Sequence, residues 1–341
     1  MEKDPVIDWL TQRMVRAGTT SDLVLEAIQD AYRRLLFPAV ERDIRGELTD
    51  KAHNQALEVF SQNLRRLLLQ PPVWGKTILG IDPGYRTGCK WAVIDPTGQV
   101  LEVGVFYPTP PRRDVQGTMR TLQRLLKEQK IDAIAIGNGT GSRETEQVVA
   151  DFIRDSDEKK VVYTIVSEAG ASVYSASPLA AQEFPELDVS ERSAISIARR
   201  ILDPLAELVK IEPRSCGVGQ YQHDIPPKRL DESLGGVVES AVNHVGVDLN
   251  TASPSLLTYV SGLTKTVATN IVKLREEVGP FQDRRQLLEV PRLGPKTFEQ
   301  SVGFLRIRRG KNPLDATPIH PESYDLTGRL LDYIGGDLSQ L

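Results

Sequence analysis

The chain has 341 residues, enough for two or three domains, and its 40% hydrophobic and 26% charged residues are typical of a globular protein. Its apolar runs are far shorter than the ~20 residues that span a bilayer, and its first ten residues lack the apolar core of a signal peptide. It has two cysteines, which lie far apart in the sequence and exclude a disulfide framework. We therefore expect a cytoplasmic protein that does not enter membranes. Its formal net charge of −4, taken alone, disfavours a polyanionic partner.

The first seventy residues have the periodicity of helices. Apolar side chains follow helical spacing over residues 21–36, and Pro38 then interrupts the pattern. A second helix is predicted from Asp50 to about Leu69. Two consecutive prolines at 71–72 indicate a boundary, so residues 1–74 form a predicted helical segment. We expect its leucines in a core, and a platform for protein interactions is the alternative.

From Lys76 the pattern changes to strands. TILGID, which ends at Asp82, CKWAVID and VLEVGVFY predict three consecutive strands, and IDAIAIGN and VVYTIVSE predict two more. Helices are predicted over residues 115–129, 142–154 and 190–202. This order excludes a dinucleotide-binding fold, whose first strand leads straight into a helix. Residues 75–211 are therefore predicted to form an α/β domain around a mixed sheet with an antiparallel edge.

The remainder of the chain is predicted to be helical. Residues 212–254 combine a loop rich in glycine and proline with one helix, and residues 255–311 contain short helices separated by Gly or Pro. Residues 312–341 form a tail with one more helix. The predicted fold class is therefore α/β plus all-α.

Positive charge is concentrated in one part of the chain. Residues 258–311, the basic segment, contain eleven Lys and Arg against five Asp and Glu, a net +6, whereas the regions on either side are acidic. Clustered basic charge favours binding to a phosphate backbone because it releases condensed counterions. A solvated helix face is the alternative interpretation of the charge alone.

Two similar stretches lie within the basic segment. In LLTYVSGLTKTVATN (residues 256–270, the first hairpin) a helix leads through a turn into a second helix near Lys265, and LLEVPRLGPKTFEQ (residues 287–300, the second hairpin) repeats this pattern. Each has a leucine within the turn, followed two or three positions later by a lysine. A helix that begins after such a turn presents free N–H groups and a positive dipole end, which together suit a phosphate.

Both stretches resemble helix-hairpin-helix motifs, which bind DNA and RNA backbones without reading sequence. They depart from the Gly-hydrophobic-Gly core of that motif, because Thr264 replaces one glycine in the first hairpin and Arg292 replaces one in the second. The alternative interpretation is that both stretches are structural turns between helices that pack into a small helical bundle. The resemblance implies that the nucleic-acid contacts are Gly262, Thr264, Lys265, Arg292, Gly294, Lys296, Arg306, Arg308 and Arg309.

The strand that ends at Asp82, with Pro-Gly and a hairpin after it, resembles the start of the YqgF and RuvC branch of the ribonuclease-H-like fold. In nucleases of this branch, the first carboxylate helps to hold divalent metals that activate water. Carried over by position, Asn138 stands where a second carboxylate is expected, and Ser190 and Ser193 stand where the last helix should begin with two acids. Glu168 matches an acid of the YqgF subgroup.

We therefore expect a degenerate nuclease fold that is not an enzyme and has no cofactor. The alternative is a metal-dependent nuclease, with Asp82 as the metal ligand and Glu168, Asp188 or Glu191 in support, which would need Mg²⁺ or Mn²⁺. The start of a sugar-kinase or actin-like ATPase is similar too, but such a fold needs a second copy of the domain, which the sequence does not contain. A plain Asp turn is the remaining interpretation.

Over nearly the whole chain, the order of these modules, with VGQYQHDI and VGVDLNTASPSLL between them, resembles the core of the Tex family of bacterial transcription accessory proteins. The resemblance implies sequence-tolerant binding of RNA or DNA in support of transcription, with the transcription machinery as a possible partner. Family members continue into an S1 domain, so the chain is expected to be a core fragment or truncated relative without it. We expect the chain to be a monomer.

Overall fold

The computed structural model describes residues 4–156, 161–308 and 310–336. The chain divides into two units, Met1–Val59 and Phe60–Leu341. The N-terminal helices are α1 (Pro5–Met14), α2 (Ser21–Ala31) and α3 (Phe37–Leu68), and a π-helical turn over Tyr32–Leu36 joins the last two. Within the described ranges, no helix combines the length and the apolar character needed to cross a membrane.

The prediction that Pro38 ends a helix is wrong, because α3 continues through this residue. The N–H of Phe37 donates to the carbonyl of Tyr32, five residues back, so the hydrogen-bond register shifts where proline lacks an N–H. The leucines of this segment are divided: Leu57, Leu64 and Leu68 are buried as expected, whereas Leu23 is 69% exposed.

Five strands form the sheet of the second unit, in the order β3-β2-β1-β4-β5. The first three strands pair antiparallel, and β1, β4 and β5 pair in parallel, which confirms the predicted mixed sheet with an antiparallel edge. The strands are β1 (Ile78–Asp82), β2 (Cys89–Ile94), β3 (Val100–Phe106), β4 (Ala133–Gly137) and β5 (Val162–Val166). The helices that follow them are α4 (Val115–Gln129), α5 (Ser142–Asp155), α6 (Ala171–Ser175), α7 (Pro178–Glu183), α8 (Val189–Leu202) and α9 (Pro204–Leu208).

Each face of this sheet is covered by helices. Leu122 of α4 and Val149 of α5 pack on one face, and Ala194 and Ala198 of α8 pack on the other. Helix α8 lies very close to the sheet because Gly80 has no side chain: a Cβ at this position would lie 2.3 Å from the Ala194 carbonyl oxygen. This close packing places the first turns of α8 beside the end of β1.

The C-terminal part contains α10 (Pro227–Val245), α11 (Pro254–Leu257), α12 (Lys265–Val278), α13 (Pro295–Ser301) and α14 (Tyr324–Ile334). The predicted helix over KTFEQSVGFLRI stops at Ser301, where a 3₁₀ turn (Val302–Phe304) leads into a two-residue strand. This strand, β7 (Leu305–Arg306), pairs in parallel with β6 (Val247–Asp248).

The VGVDLNTASP stretch joins elements that are far apart in sequence. The side-chain amide of Asn250 donates to the Phe281 carbonyl at 2.9 Å and accepts the Phe281 N–H at 2.7 Å. Arg275 donates to the carbonyls of Leu249 (2.8 Å) and Ala252 (3.0 Å). These bonds fix the loop against α12, so this stretch of the Tex resemblance has a structural role.

Arg284 connects the tail to the hairpin region. Its side chain is 1% exposed and donates to the carbonyls of Ile319 (2.7 Å) and Thr317 (2.6 Å) and to the Tyr324 hydroxyl (2.8 Å). The same hydroxyl donates to the Asp315 carboxylate at 2.6 Å. The tail therefore packs on the hairpin region through a buried polar network.

Candidate nucleic-acid interface and carboxylate cluster

The turn of the first hairpin has one residue in the left-handed region, Gly262, with φ +86°. The Leu263 N–H donates to the Val260 carbonyl at 3.0 Å, and the Leu263 side chain is buried beneath the turn. Thr264 is the N-cap of α12, and its carbonyl accepts the Ala268 N–H at 2.9 Å. The turn thus presents the first amides of α12 at the surface.

The second hairpin repeats this backbone thirty residues later. Arg292 takes the left-handed position, with φ +67°, and the N–H of the buried Leu293 donates to the Val290 carbonyl at 3.1 Å. Gly294 is the N-cap of α13, and its carbonyl accepts the Phe298 N–H at 2.9 Å. The two turns are therefore equivalent at every backbone position that defines the hairpin.

The departures from the Gly-hydrophobic-Gly pattern have local causes. Thr264 caps its helix, because its hydroxyl accepts the Val267 N–H at 3.3 Å. Gly294 offers no side-chain oxygen, so the first amides of α13 have no side-chain cap. Arg292 is accommodated in a conformation that favours glycine, and the second hairpin consequently adds a cation at the turn itself.

The structure brings the two hairpins into contact and leaves the cations near their turns exposed. The Asn270 side chain in the first hairpin donates to the Pro291 carbonyl in the second, at 2.8 Å. Lys265, Arg292 and Lys296 are exposed, and among the described residues none of them has an ion-pair partner. A polyanion could reach all three.

The three arginines after α13 do not form a common phosphate-binding group. Arg306 is 9% exposed and donates to the Gly303 carbonyl at 2.6 Å, and burial lowers its pKa to about 10. Arg308 is exposed, but its Nε lies 3.7 Å from an Asp248 carboxylate oxygen and its guanidinium lies 4.4 Å from the centre of the Trp74 ring. Arg309 lies outside the described residues. Arg306 is therefore removed from the predicted contacts, since its donors point inward.

The carboxyl ends of β1 and β5 form a second polar cluster. Asp82 is the last residue of β1, and burial raises its pKa to about 6. The Ser193 hydroxyl and the positive charge of Lys90 lower this pKa, whereas the negative charge of Glu168 raises it. Ser193, where the nuclease pattern has an acid, is a buried residue of α8 whose hydroxyl favours the charged form of Asp82. A neutral donor thus replaces the missing carboxylate.

Glu168 lies against the loop that follows β4. A Cβ on Gly139 would lie 1.9 Å from one Glu168 carboxylate oxygen, and a Cβ on Gly137 would lie 2.8 Å from the other. The side-chain oxygen of Asn138 accepts the Glu168 N–H at 3.0 Å. The two glycines make room for the carboxylate, and Asn138 holds the backbone that carries it.

Asp188 and Glu191 are engaged elsewhere. They form a capping box at the start of α8, in which the Asp188 carboxylate accepts the Glu191 N–H at 2.8 Å and the Glu191 carboxylate accepts the Asp188 N–H at 2.9 Å. Within the described ranges, no group of three or more His, Cys, Asp or Glu residues is arranged to hold a metal ion. Asp82 and Glu168 would supply a divalent metal with only two carboxylates, so water or phosphate oxygens would have to complete its coordination.

Comparison with known proteins identifies the modules. Residues 76–202 match the family model of the Tex protein YqgF-like domain, and residues 242–306 match the helix-hairpin-helix motif. The chain is 52% identical to Protein tex of Bordetella pertussis and 50% identical to the Transcriptional accessory protein Tex of Neisseria gonorrhoeae, over 93% of its length in both cases. The chain belongs to the Tex family. The YqgF-like match of this Tex chain ends at Leu202, the last residue of α8.

Two further findings extend the Tex comparison. Residues 312–341, predicted only as a helical tail, match a model described as HHH domain, a signal that the sequence pattern did not reveal. The human S1 RNA-binding domain-containing protein 1 is 41% identical over 99% of the chain. The chain spans 40%, 41% and 39% of these three relatives, less than half of each.

Proposed function

We propose that this Tex-family chain binds the sugar-phosphate backbone of RNA or DNA through its two hairpins, in a role that supports transcription. The observation that carries the proposal is the repeated turn: two equivalent backbones, thirty residues apart, each place a lysine at the start of a helix. The helix-hairpin-helix match and a relative named as a transcriptional accessory protein support it. The predicted boundaries, 75–211 for the YqgF-like domain and 255–311 for the hairpins, belong to the same proposal.

The proposed contact follows from elementary electrostatics. A phosphate oxygen accepts hydrogen bonds from the free N–H groups at a helix start, and the Lys265 and Lys296 ammonium groups neutralise its charge. These contacts involve no base edges, so binding is expected to tolerate any sequence. The exposed Arg292 guanidinium adds a third cation.

The test is the salt dependence of binding to single-stranded RNA, single-stranded DNA and duplex DNA, measured side by side. For a double Lys265→Gln, Lys296→Gln variant we expect the slope of log K against log salt to become shallower by about 0.9 per lost contact on duplex DNA and about 0.7 on single strands. Lys273→Gln is the matched control, because Lys273 is an exposed lysine of the same helix α12, two turns beyond the hairpin turn. An unchanged slope in the double variant, or an equal change in the control, would contradict the proposal.

We further propose that the YqgF-like domain is a scaffold rather than a nuclease. The nuclease alternative depends on Asp82 and Glu168, and its support is limited because Asp188 and Glu191 cap α8 and an amide occupies position 138. Incubation of branched and single-stranded substrates with Mg²⁺ or Mn²⁺ decides between them. Cleavage by the wild-type protein that is lost in Asp82→Asn would overturn the scaffold proposal, and no cleavage by either supports it.

A further inference from the structure

Trp74 is an aromatic side chain left open to solvent between α3 and β1. It is 55% exposed, and the chain beside it is fixed because the Val73 N–H donates to the Ile201 carbonyl at 2.8 Å. The Arg308 guanidinium lies over the indole ring, 4.4 Å from its centre. A large aromatic ring with an exposed face offers a flat apolar surface on which a planar partner can stack.

Arg308 orients this ring rather than acting as a free phosphate contact. Its Nε lies 3.7 Å from an Asp248 carboxylate oxygen, so part of its charge is already balanced. It lies two residues after β7 within the basic segment, so Trp74 contacts the part of the chain that carries the net positive charge. Guanidinium groups stack on indole rings through the ring quadrupole, which restricts the ring without covering its other face.

We propose that Trp74 stacks on an unpaired base of a single-stranded nucleic acid whose backbone is held by the hairpins. The inference rests on the proposed function and adds to it a contact that duplexes cannot use. Aromatic platforms next to a basic surface bind single strands in this way, and stacking tolerates any sequence because every base has a π-face. The Arg308 guanidinium on one side and the base on the other would enclose the indole.

Intrinsic fluorescence tests the contact directly, because the chain has only three tryptophans. Trp91 is buried, whereas Trp9 is a matched control: it is also 55% exposed, with the Arg13 guanidinium 5.1 Å from its ring centre. On titration with an oligothymidylate, we expect quenching in the wild-type protein and in Trp9→Phe, and loss of the quenching in Trp74→Phe. Quenching that persists in Trp74→Phe would overturn the proposal.

Affinity provides the second measurement. Trp74→Ala is expected to weaken binding of the single strand by roughly 5- to 100-fold, with the slope of log K against log salt unchanged, since stacking releases no counterions. An oligonucleotide with abasic sites should bind the wild-type protein as weakly as the intact oligonucleotide binds Trp74→Ala. Trp74→Phe keeps an aromatic plane and should retain most of the affinity, which separates a stacking defect from misfolding.

The two proposals fail in different ways. If the wild-type protein shows no salt-dependent binding to any nucleic acid, the proposed function is wrong. If it binds with the expected salt dependence but Trp74→Ala binds the oligonucleotide as tightly as the wild type, only the stacking contact is wrong.

Discussion

The side-chain oxygen of Asn138 accepts the backbone N–H of Glu168 across 3.0 Å. This bond joins the loop after β4 to the loop after β5, at the edge where the strands of related nucleases carry carboxylates. The residue that departs from the nuclease pattern therefore has a structural task, which is to fix the backbone that carries Glu168.

Asn138→Ala should lower the free energy of unfolding by up to about 1 kcal/mol, because at this exposed site the Glu168 N–H would exchange its acceptor for water. Urea denaturation measures the change. Asn138→Asp is the control, since it keeps an oxygen in the same position. An alanine variant with the wild-type urea midpoint would show that the bond contributes nothing.

Asp82 makes stability depend on pH. Burial raises its pKa to about 6 from an ordinary value of 3.8, so between these pH values the folded protein holds a proton that the unfolded chain has released. Stability from this group is present at low pH and is lost as pH rises through that window. Asp82→Asn should therefore be more stable than the wild type at pH 7, by on the order of 2 to 3 kcal/mol, with the difference vanishing near pH 4. Denaturation curves at pH 4 and pH 7 check this, and a difference that does not change with pH would refute it.

Arg292 separates the requirements of folding and binding. Its φ of +67° strains any residue with a side chain, so Arg292→Gly is expected to stabilise the fold by up to about 1 kcal/mol. The same change removes a cation and should weaken nucleic-acid binding. Gly262→Ala is the matched opposite, because φ is +86° and its Cβ would lie 2.9 Å from the Cβ of Gln300, so it should destabilise. Thermal unfolding and nucleic-acid binding are measured on both variants. A loss of stability in Arg292→Gly would contradict this account.

Gly294 has no evident structural reason to be glycine. Its backbone is extended, and a Cβ there would meet no atom within 4 Å. Gly294→Ala should thus change stability by less than about 0.5 kcal/mol. Binding should nevertheless weaken if a phosphate approaches the uncapped amides of α13, because the added methyl group would stand in its path. Equal binding by the variant and the wild type would exclude a phosphate on this side of the turn.

The sheet could be predicted from the sequence because each strand is a short apolar run that ends in a turn, and Asp82 lies where such a run stops. The hairpins could be predicted because their repeat is local. Interactions between distant residues could not be predicted: the strand pairing that turns Arg306 inward depends on Val247–Asp248, almost sixty residues earlier. Composition likewise does not reveal that Asp188 and Glu191 cap each other's backbone instead of facing Asp82.

Arginines and lysines have different surroundings in the basic segment. Arg275, Arg284 and Arg306 each donate to main-chain carbonyls within the protein, as a planar group with five N–H donors can. The lysines at 265, 273 and 296 are exposed. The formal +6 therefore overstates the charge that a polyanion can reach. An Arg-to-Lys exchange conserves formal charge and would have little effect at the hairpin surface. At Arg275, Arg284 and Arg306, the same exchange would leave main-chain carbonyl groups without a donor. The side-chain type at each basic position therefore matters in addition to its charge.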